Sequence, residues 1–453
     1  MSIVNSISGM RATIDELTTE FIEKYANAFN SFLPAGKIII GRDGRPSGKK
    51  IEKTLIDTFV KLEREIEVLD IVPTPTVQLM VEHSNAVGGI IITASHNPSN
   101  WNGLKFLNSN GIFLDAEENK KFWYFLDKPK EYNNNVLYDS FLTYNRNSLN
   151  FHIDKILSVD FIKENLTNIY KKNYTVVVDA VNASGSVIIC DLLKRLNCNV
   201  IKLYCDGTGI FPHIPEPLPV NLTDLSKAVI EYKADLGVAV DPDADRLVLV
   251  DNFGNNISEE NTICIAIQSI LELTKLNDLN IVVNQSTTQL VDDIANLYNC
   301  HVMRSAVGEI NVVKKMQEVS AIIGGEGSGG VILPVCHYGR DSLVGICLVL
   351  SLLAKKNINI YDLIAKYPYY EISKVKKNIS SDFNDIKNIL LNKYKYNNIS
   401  LIDGIKIYFN NRSWVHIRPS NTEPIIRIIA EAEKGETLNI IKDIENDIYN
   451  FIN

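Results

Sequence analysis

From Lys37 to Thr93 the chain reads KIIIGRDGRPSGKKIEKTLIDTFVKLEREIEVLDIVPTPTVQLMVEHSNAVGGIIIT, and its apolar period changes four times along that length. Lys37–Ile40, Glu67–Ile71 and Gly88–Thr93 are short, β-branched apolar runs, whereas the stretches near Lys49–Arg64 and Pro75–Asn85 carry helical patterns. Strand, helix, strand, helix, strand in that order predicts a largely parallel sheet sandwiched by helices.

Working outward, the same alternation resumes after the Asn/Tyr/Ser-rich stretch Tyr132–Asn150, with Tyr174–Asp179, a helix from Ser186, Asn199–Tyr204, Leu236–Val240 and Leu247–Val250. A third round runs through Asn280–Asn284, His301–Arg304 and Ala321–Gly324 to the apolar helix Ser342–Ala354. Beyond about Glu371 the rhythm differs: Leu401–Ile407, Ser413–Arg418 and Ile425–Glu431 read as antiparallel strands, closed by a helix over Thr437–Phe451. The expected fold is α/β, three similar mixed α/β domains plus a C-terminal α+β domain, divided at 1–148, 149–253, 254–368 and 369–453. No sequence-level repeat accompanies the three rounds.

The chain has 453 residues, 45% of them hydrophobic, and 46 Lys+Arg against 54 Asp+Glu leave a net charge of −8. That balance argues against a nucleic-acid footprint or a polybasic membrane anchor and favours small-molecule chemistry. Seven scattered Cys without a Cys-x-x-Cys pair indicate neither a disulfide framework nor a zinc site, and a reducing cytoplasm is expected. The longest apolar stretch, Val344–Ala354, is far shorter than the roughly 20 residues needed to cross a bilayer. The opening residues, Met1–Arg11, lack the basic and apolar regions of a secretory signal.

Four segments carry chemistry. Gly88–Lys105 is a strand running abruptly into Thr93-Ala-Ser95-His96-Asn-Pro98, which presents a hydroxyl at a strand's carboxyl end, with Lys105 returning toward it. A polar strand-end cap is the plainer explanation of that fragment alone. Asp241-Pro-Asp243-Ala-Asp245-Arg246 sets three carboxylates at alternate positions, a cluster that repels itself unless a cation resides there; hard oxygen donors suit Mg²⁺. Gly324-Gly-Glu326-Gly-Ser328-Gly-Gly330 offers a carboxylate and a hydroxyl in a glycine-rich loop suited to sugar hydroxyls, although a plain hairpin explains it nearly as well. Arg418-Pro-Ser420-Asn421-Thr422-Glu-Pro424-Ile-Ile-Arg427 is a tight loop able to converge on one phosphate. Gly41–Gly48 lacks the spacing of a nucleotide loop and reads as a strand-end turn with Arg42 and Asp43 near the site.

Taken in order, these four motifs resemble those of the α-D-phosphohexomutases, the family of phosphoglucomutases, phosphomannomutases and phosphoglucosamine mutases, and the resemblance spans the whole chain. It implies a heart-shaped molecule of four domains around a central cleft. By the same resemblance, Ser95 would be the phosphorylated residue and Asp241, Asp243 and Asp245, with Ser95, the Mg²⁺ ligands. Arg246 would steady the phosphate beside His96, Lys105 would be the general acid/base, and Arg11 the early arginine. Glu326 and Ser328 would read sugar hydroxyls, while Arg418, Ser420, Asn421, Thr422 and Arg427 would hold the substrate's unreacting phosphate. The implied reaction interconverts hexose 6-phosphate and hexose 1-phosphate through hexose 1,6-bisphosphate, with glucosamine phosphate favoured over mannose or glucose phosphate and the protein acting as a monomer or homodimer. Two positions depart from the pattern: Gly330 stands where many members have His, and Glu309, after Gly308, where some have His. A non-catalytic sugar-phosphate sensor and a metal-dependent phosphatase are the alternatives.

Overall fold

The computed structural model describes residues 4–7, 9–128, 132, 136–380, 382–410, 412–420 and 425–451. Three of its four sheets are variations on one plan. In each, a first strand (Lys37–Arg42, Thr175–Asp179, Asn280–Asn284) lies between a parallel second (Ile66–Ile71, Asn199–Tyr204, His301–Ser305) and a parallel third (Ala86–Ile92, Leu236–Val240, Ile323–Glu326). The third then turns back on an antiparallel fourth: Trp101–Asn108, Leu247–Val250 and Gly330–Ile332. The first sheet is widened to seven strands by Val4–Ser6 and Gly9–Thr13 on one edge and Leu142–Tyr144 on the other. A repeat with no trace in residue identities is therefore plain in strand order.

Central strands of such sheets are covered on both faces, which removes the alternation of buried and exposed positions. Ile90, Ile91 and Ile92 are all fully buried, as are Val176, Val177 and Val178. The helix Ser342–Lys356 is buried from Ser342 to Ala354 and packs against the helices Glu259–Thr274 and Asp160–Lys172, so the second and third units share one continuous apolar core. Val77 and Ile91 of the first unit join Val282, Ile310 and Met316 of the third in another.

The fourth sheet is antiparallel throughout, in the order Glu371–Asn378, Ile425–Ala432, Ser413–Pro419, Ile405–Asn410, Asn398–Ser400, with the helices Phe383–Lys393 and Thr437–Asp447 completing its core. Three expectations need correction. The strand placed at Leu401–Ile407 begins only at Ile405, because Gly404 has a left-handed φ of 66° that turns the chain first. The last helix stops at Asp447, with a single 3₁₀ turn after it. Lys105 stands not on a returning loop but on the strand Trp101–Asn108, paired on both sides.

Each of the four motifs falls where one antiparallel strand gives way to its neighbour: at 93–100, at 241–246, at 327–329, and between the strands Ser413–Pro419 and Ile425–Ala432. The first three occupy the same place in the shared plan, after the third strand, where open α/β sheets gather their ligands.

Candidate active site

Ser95 has a φ of 50°, a left-handed conformation that costs a residue with a Cβ of order 1 kcal/mol and persists only when its surroundings impose it. A buried chain of bonds does so. The Ser95 N–H donates to Thr93 Oγ1 at 2.8 Å, and that hydroxyl donates to Asp43 Oδ2 at 2.6 Å. Asp43 in turn pairs with Arg45 Nε at 2.9 Å. The Arg45 guanidinium, fully buried, donates to the carbonyls of Ser95, Asn97, Pro98 and Trp101 at 2.6–3.1 Å, pinning both limbs of the loop. Arg42, expected near the site, instead pairs with Glu52 and Asp70. Arg45 was passed over; its signal was a cation inside an otherwise turn-like Gly-Arg-Asp-Gly-Arg-Pro sequence.

The acidic loop has its own left-handed residue, Ala244 at φ 50°, and its three carboxylates are fully buried. Ser95 Oγ donates to Asp241 Oδ2 at 2.8 Å, so two groups 146 residues apart in sequence are in contact. Asp243 Oδ2 accepts from Lys105 Nζ at 2.6 Å and from Thr74 Oγ1 at 2.6 Å; Asp245 Oδ2 accepts from Arg340 at 2.6 Å and from Lys105 at 3.4 Å. Among the described residues the opposite oxygens, Asp243 Oδ1 and Asp245 Oδ1, are buried without a hydrogen-bond partner. Such orphans are costly, and a divalent cation is what would satisfy them.

One carboxylate oxygen from each aspartate lies within 4.8 Å of the others, so the residues fit Mg²⁺, whose remaining positions waters and phosphate oxygens fill. Burial and the other two carboxylates push the Asp241 carboxyl well above its ordinary range. At Asp243 burial acts upward too, but the Lys105 ammonium and the Lys105 and Thr74 bonds outweigh it and hold the group below that range. For Lys105, burial acts downward and is outweighed by Asp243 and Asp245, so its ammonium is kept protonated.

Above these groups lies a cavity of about 640 Å³, lined by Arg11, His96 and Lys105 from the first unit, Arg246 from the second, Glu326, Ser328 and Arg340 from the third, and Arg418 and Arg427 from the fourth. Ser95 and the aspartates do not line it; Lys105, Arg246 and Arg340, which lie against the carboxylates, do. Arg11 donates to Asn97 Oδ1 at 3.0 Å, tying the N-terminal hairpin to the serine loop. His96 Nδ1 is 3.4 Å from Ser95 Oγ, and Arg246, burial and Arg11 hold the ring well below its ordinary pKa, leaving it neutral at pH 7. Guanidinium and ammonium groups outnumber the carboxylates in its lining, which suits an anionic ligand.

The chain matches the phosphoglucomutase/phosphomannomutase alpha/beta/alpha domains I, II and III over residues 5–133, 151–254 and 258–370, and the C-terminal domain over 371–448. A phosphoglucomutase/phosphomannomutase of Thermococcus kodakarensis is 34% identical over 93% of this chain and 92% of its own. The chain belongs to the phosphoglucomutase/phosphomannomutase family. A probable phosphoglucosamine mutase of Methanopyrus kandleri is 29% identical over 97% of this chain and 96% of its own. In fold, a putative phosphomannomutase from Thermus thermophilus superposes with a TM-score of 0.81 at 20% identity, over 99% of each chain.

Within that family framework, the fourth unit adds Arg418 and Arg427 to the lining of the cavity. Arg418 and Arg427 are directly opposed across the last hairpin, a like-charge pair that destabilises a sheet unless an anion joins it. Burial and Arg427 act to lower the Arg418 guanidinium's pKa against the pull of Asp403, and among the described residues Arg418 Nε has no hydrogen-bond partner. The Ser420 N–H closes the hairpin to Ile425 O at 2.9 Å; Asn421 and Thr422 lie outside the described residues. Glu326 ends its strand with Oε1 accepting from Asn284 and the Gly308 N–H, and Oε2 from Arg340. Arg340 was not read from the sequence at all.

A second group of metal-ligating side chains, His152, His337 and Asp341, is also fully buried. Asp341 Oδ2 already bonds both rings, at 2.8 and 3.1 Å, while its Oδ1 accepts from Leu343 N at the start of the helix Ser342–Lys356. This is a polar strut that fixes the segment carrying Arg340.

Proposed function

We propose that the protein interconverts hexose 6-phosphate and hexose 1-phosphate through a phosphorylated Ser95 and a hexose 1,6-bisphosphate, and that glucosamine phosphate is its preferred substrate. The observation that carries this reading is the Ser95 hydroxyl held 2.8 Å from Asp241 in a buried acidic cluster, beside a cavity reached by cationic groups of all four units.

A Mg²⁺ held by Asp241, Asp243 and Asp245 supplies charge neutralisation for the phosphoryl group. In the first half-reaction the free hydroxyl of the sugar forms the new oxygen–phosphorus bond as the Ser95 oxygen–phosphorus bond breaks. The serine oxygen then takes up a proton, and Lys105, buried and protonated, is the donor within the site. The sugar hydroxyl's proton leaves through the same amine once Lys105 has given up its own. Arg246 and Arg11 steady the phosphate nearest Ser95, and neutral His96 adds no repelling or competing charge. Arg418 and Arg427 hold the phosphate at the far end, Glu326 and Ser328 orient the ring, and turning the bisphosphate end for end lets the second half-reaction return its other phosphate to Ser95.

The phosphoglucosamine reading is supported by the Gly-Glu-Gly-Ser-Gly-Gly form of the sugar loop and by the Methanopyrus relative's name. The test is to supply the purified protein with Mg²⁺, a trace of the matching hexose 1,6-bisphosphate and, in turn, the 1-phosphates of glucosamine, mannose and glucose. The 6-phosphate should appear, with kcat/KM largest for glucosamine. No conversion of any of the three sinks the reading, and release of inorganic phosphate in place of isomerisation makes the protein a phosphatase.

A further inference from the structure

The two positions that depart from the family pattern, Glu309 and Gly330, are separated in sequence but meet on one side chain. Arg340 precedes the buried helix Ser342–Lys356 and reaches back under the sugar loop. Its Nη2 donates to Asp245 Oδ2 at 2.6 Å and its Nη1 to Glu326 Oε2 at 2.7 Å. Its Nε forms an ion pair with Glu309 Oε2 at 3.1 Å that lacks hydrogen-bond geometry. Glu309 is itself held from the first unit, since Gln78 Nε2 donates to Oε1 at 3.1 Å. Gly330 makes this possible: a Cβ there would fall 2.3 Å from Arg340 Cδ, inside the stem of the side chain.

A guanidinium is planar and rigid, so groups bonded to its two ends move together. Here one end holds Asp245, whose other oxygen, like Asp243 Oδ1, is buried without a hydrogen bond among the described residues, and the other end holds Glu326, which lines the cavity. A cation taking Asp245 Oδ1 draws that carboxylate's charge away from Arg340. The guanidinium is then freer toward Glu326 and the cavity, where it faces an anionic ligand. The reverse follows from linkage: an anion that draws Arg340 toward the cavity leaves Asp245 with more charge for a cation.

Resting on the mutase reading above, we propose that Arg340 is a positioning residue tying the cation loop to the sugar loop, so that a divalent cation and a hexose phosphate each strengthen the binding of the other. Gly330 and Glu309 are the accommodating and aligning parts of the same device.

The experiment titrates the full-length protein with Mn²⁺, following the free-ion paramagnetic resonance signal, with and without saturating glucose 6-phosphate and with no bisphosphate present. In the unaltered protein the sugar phosphate should tighten Mn²⁺ about fivefold or more, the low end of ordinary coupling between sites. Arg340→Lys keeps a charge but cannot span three carboxylates, and Gly330→Ala displaces the stem without changing any charge. In both, whatever the change in the affinity for each ligand alone, the coupling should fall below about twofold. Gly330→Ala decides the matter if the lysine variant fails to fold. Full coupling in a folded variant, or none in the unaltered protein although both ligands bind, overturns the role given to Arg340 and leaves the mutase reading standing. Failure of the unaltered protein to bind glucose 6-phosphate at all, with glucosamine 6-phosphate and mannose 6-phosphate failing likewise, overturns both.

Discussion

The two ends of the central cavity solve opposite electrostatic problems. Around Ser95 the aspartates are met by Lys105, Arg246 and Arg340, so buried charge of both signs is interleaved before any ligand arrives. At the end lined by the fourth unit, Arg418 and Arg427 face each other across a hairpin, a like-charged pair. The contrast teaches where ligand binding energy is spent. On the proposed reading the first end holds the reacting group in one geometry, which a dense buried network does well. On the proposed reading the second holds a phosphate that does not react, and there the opposed guanidiniums have only the pull of Asp403 and Glu326 on Arg418 to offset them.

The largest expected effect tests the first end. Ser95→Ala should lower turnover by about 10⁴-fold or more while sugar-phosphate affinity, measured calorimetrically, stays near that of the unaltered protein. A variant retaining a tenth of the rate would place the nucleophile elsewhere. Next, Asp241→Asn should weaken Mn²⁺ binding by about 10–100-fold, because it removes a charged ligand and leaves the far end untouched. Equal affinity in the two proteins would move the cation away from the triplet.

Arg418→Ala should act on the second end alone, raising KM for the hexose phosphate about 10–100-fold, the worth of a charged hydrogen bond, with a smaller change in kcat. The reverse split would mean that the two ends are not separable.

Glu260, which also lines the cavity, sharpens the comparison through pH. Burial raises its carboxyl to about 7 from 4.5, against the pull of Lys374. The folded state thus holds a proton that the unfolded chain has lost. That contribution is whole below about pH 4.5 and is lost as pH climbs to about 7, to a few kcal/mol at most. The melting temperature of Glu260→Gln minus that of the unaltered protein should therefore rise between those limits and level off above them; a flat difference would refute the assignment. Smallest of all, Arg427→Gln should stabilise the ligand-free fold by about 0.2–1 kcal/mol, relieving the opposed guanidiniums, while weakening phosphate binding. Denaturant unfolding that shows a loss of stability would show that the pair is not under repulsion.

Much of the secondary structure was legible in the chain, and where it was not the cause is specific. Asn199–Tyr204, Leu236–Val240, Leu247–Val250 and Asn280–Asn284 begin and end where their apolar β-branched runs do. Trp101–Asn108 escaped because Asn102, Gly103 and Lys105 interrupt its apolar pattern; Asn102 and Lys105 are polar residues buried for what they bond, not for their hydrophobicity. Arg340 escaped because a single cation before an apolar helix has no local pattern, and its meaning lies in three carboxylates contributed by distant segments.

Periodicity is a local property, written within ten or so residues, and so the sequence by itself determined many of the strands and helices and the chemistry each hairpin could offer. Which hairpins meet is not local. The contact of Ser95 with Asp241 and the hold of Arg340 on Asp245, Glu309 and Glu326 depend on how separate sheets dock, and docking is governed by shared apolar cores that run between the units. Only the tertiary structure decided that, because hydrophobic burial fixes which surfaces are hidden without recording in either segment the partner that hides it.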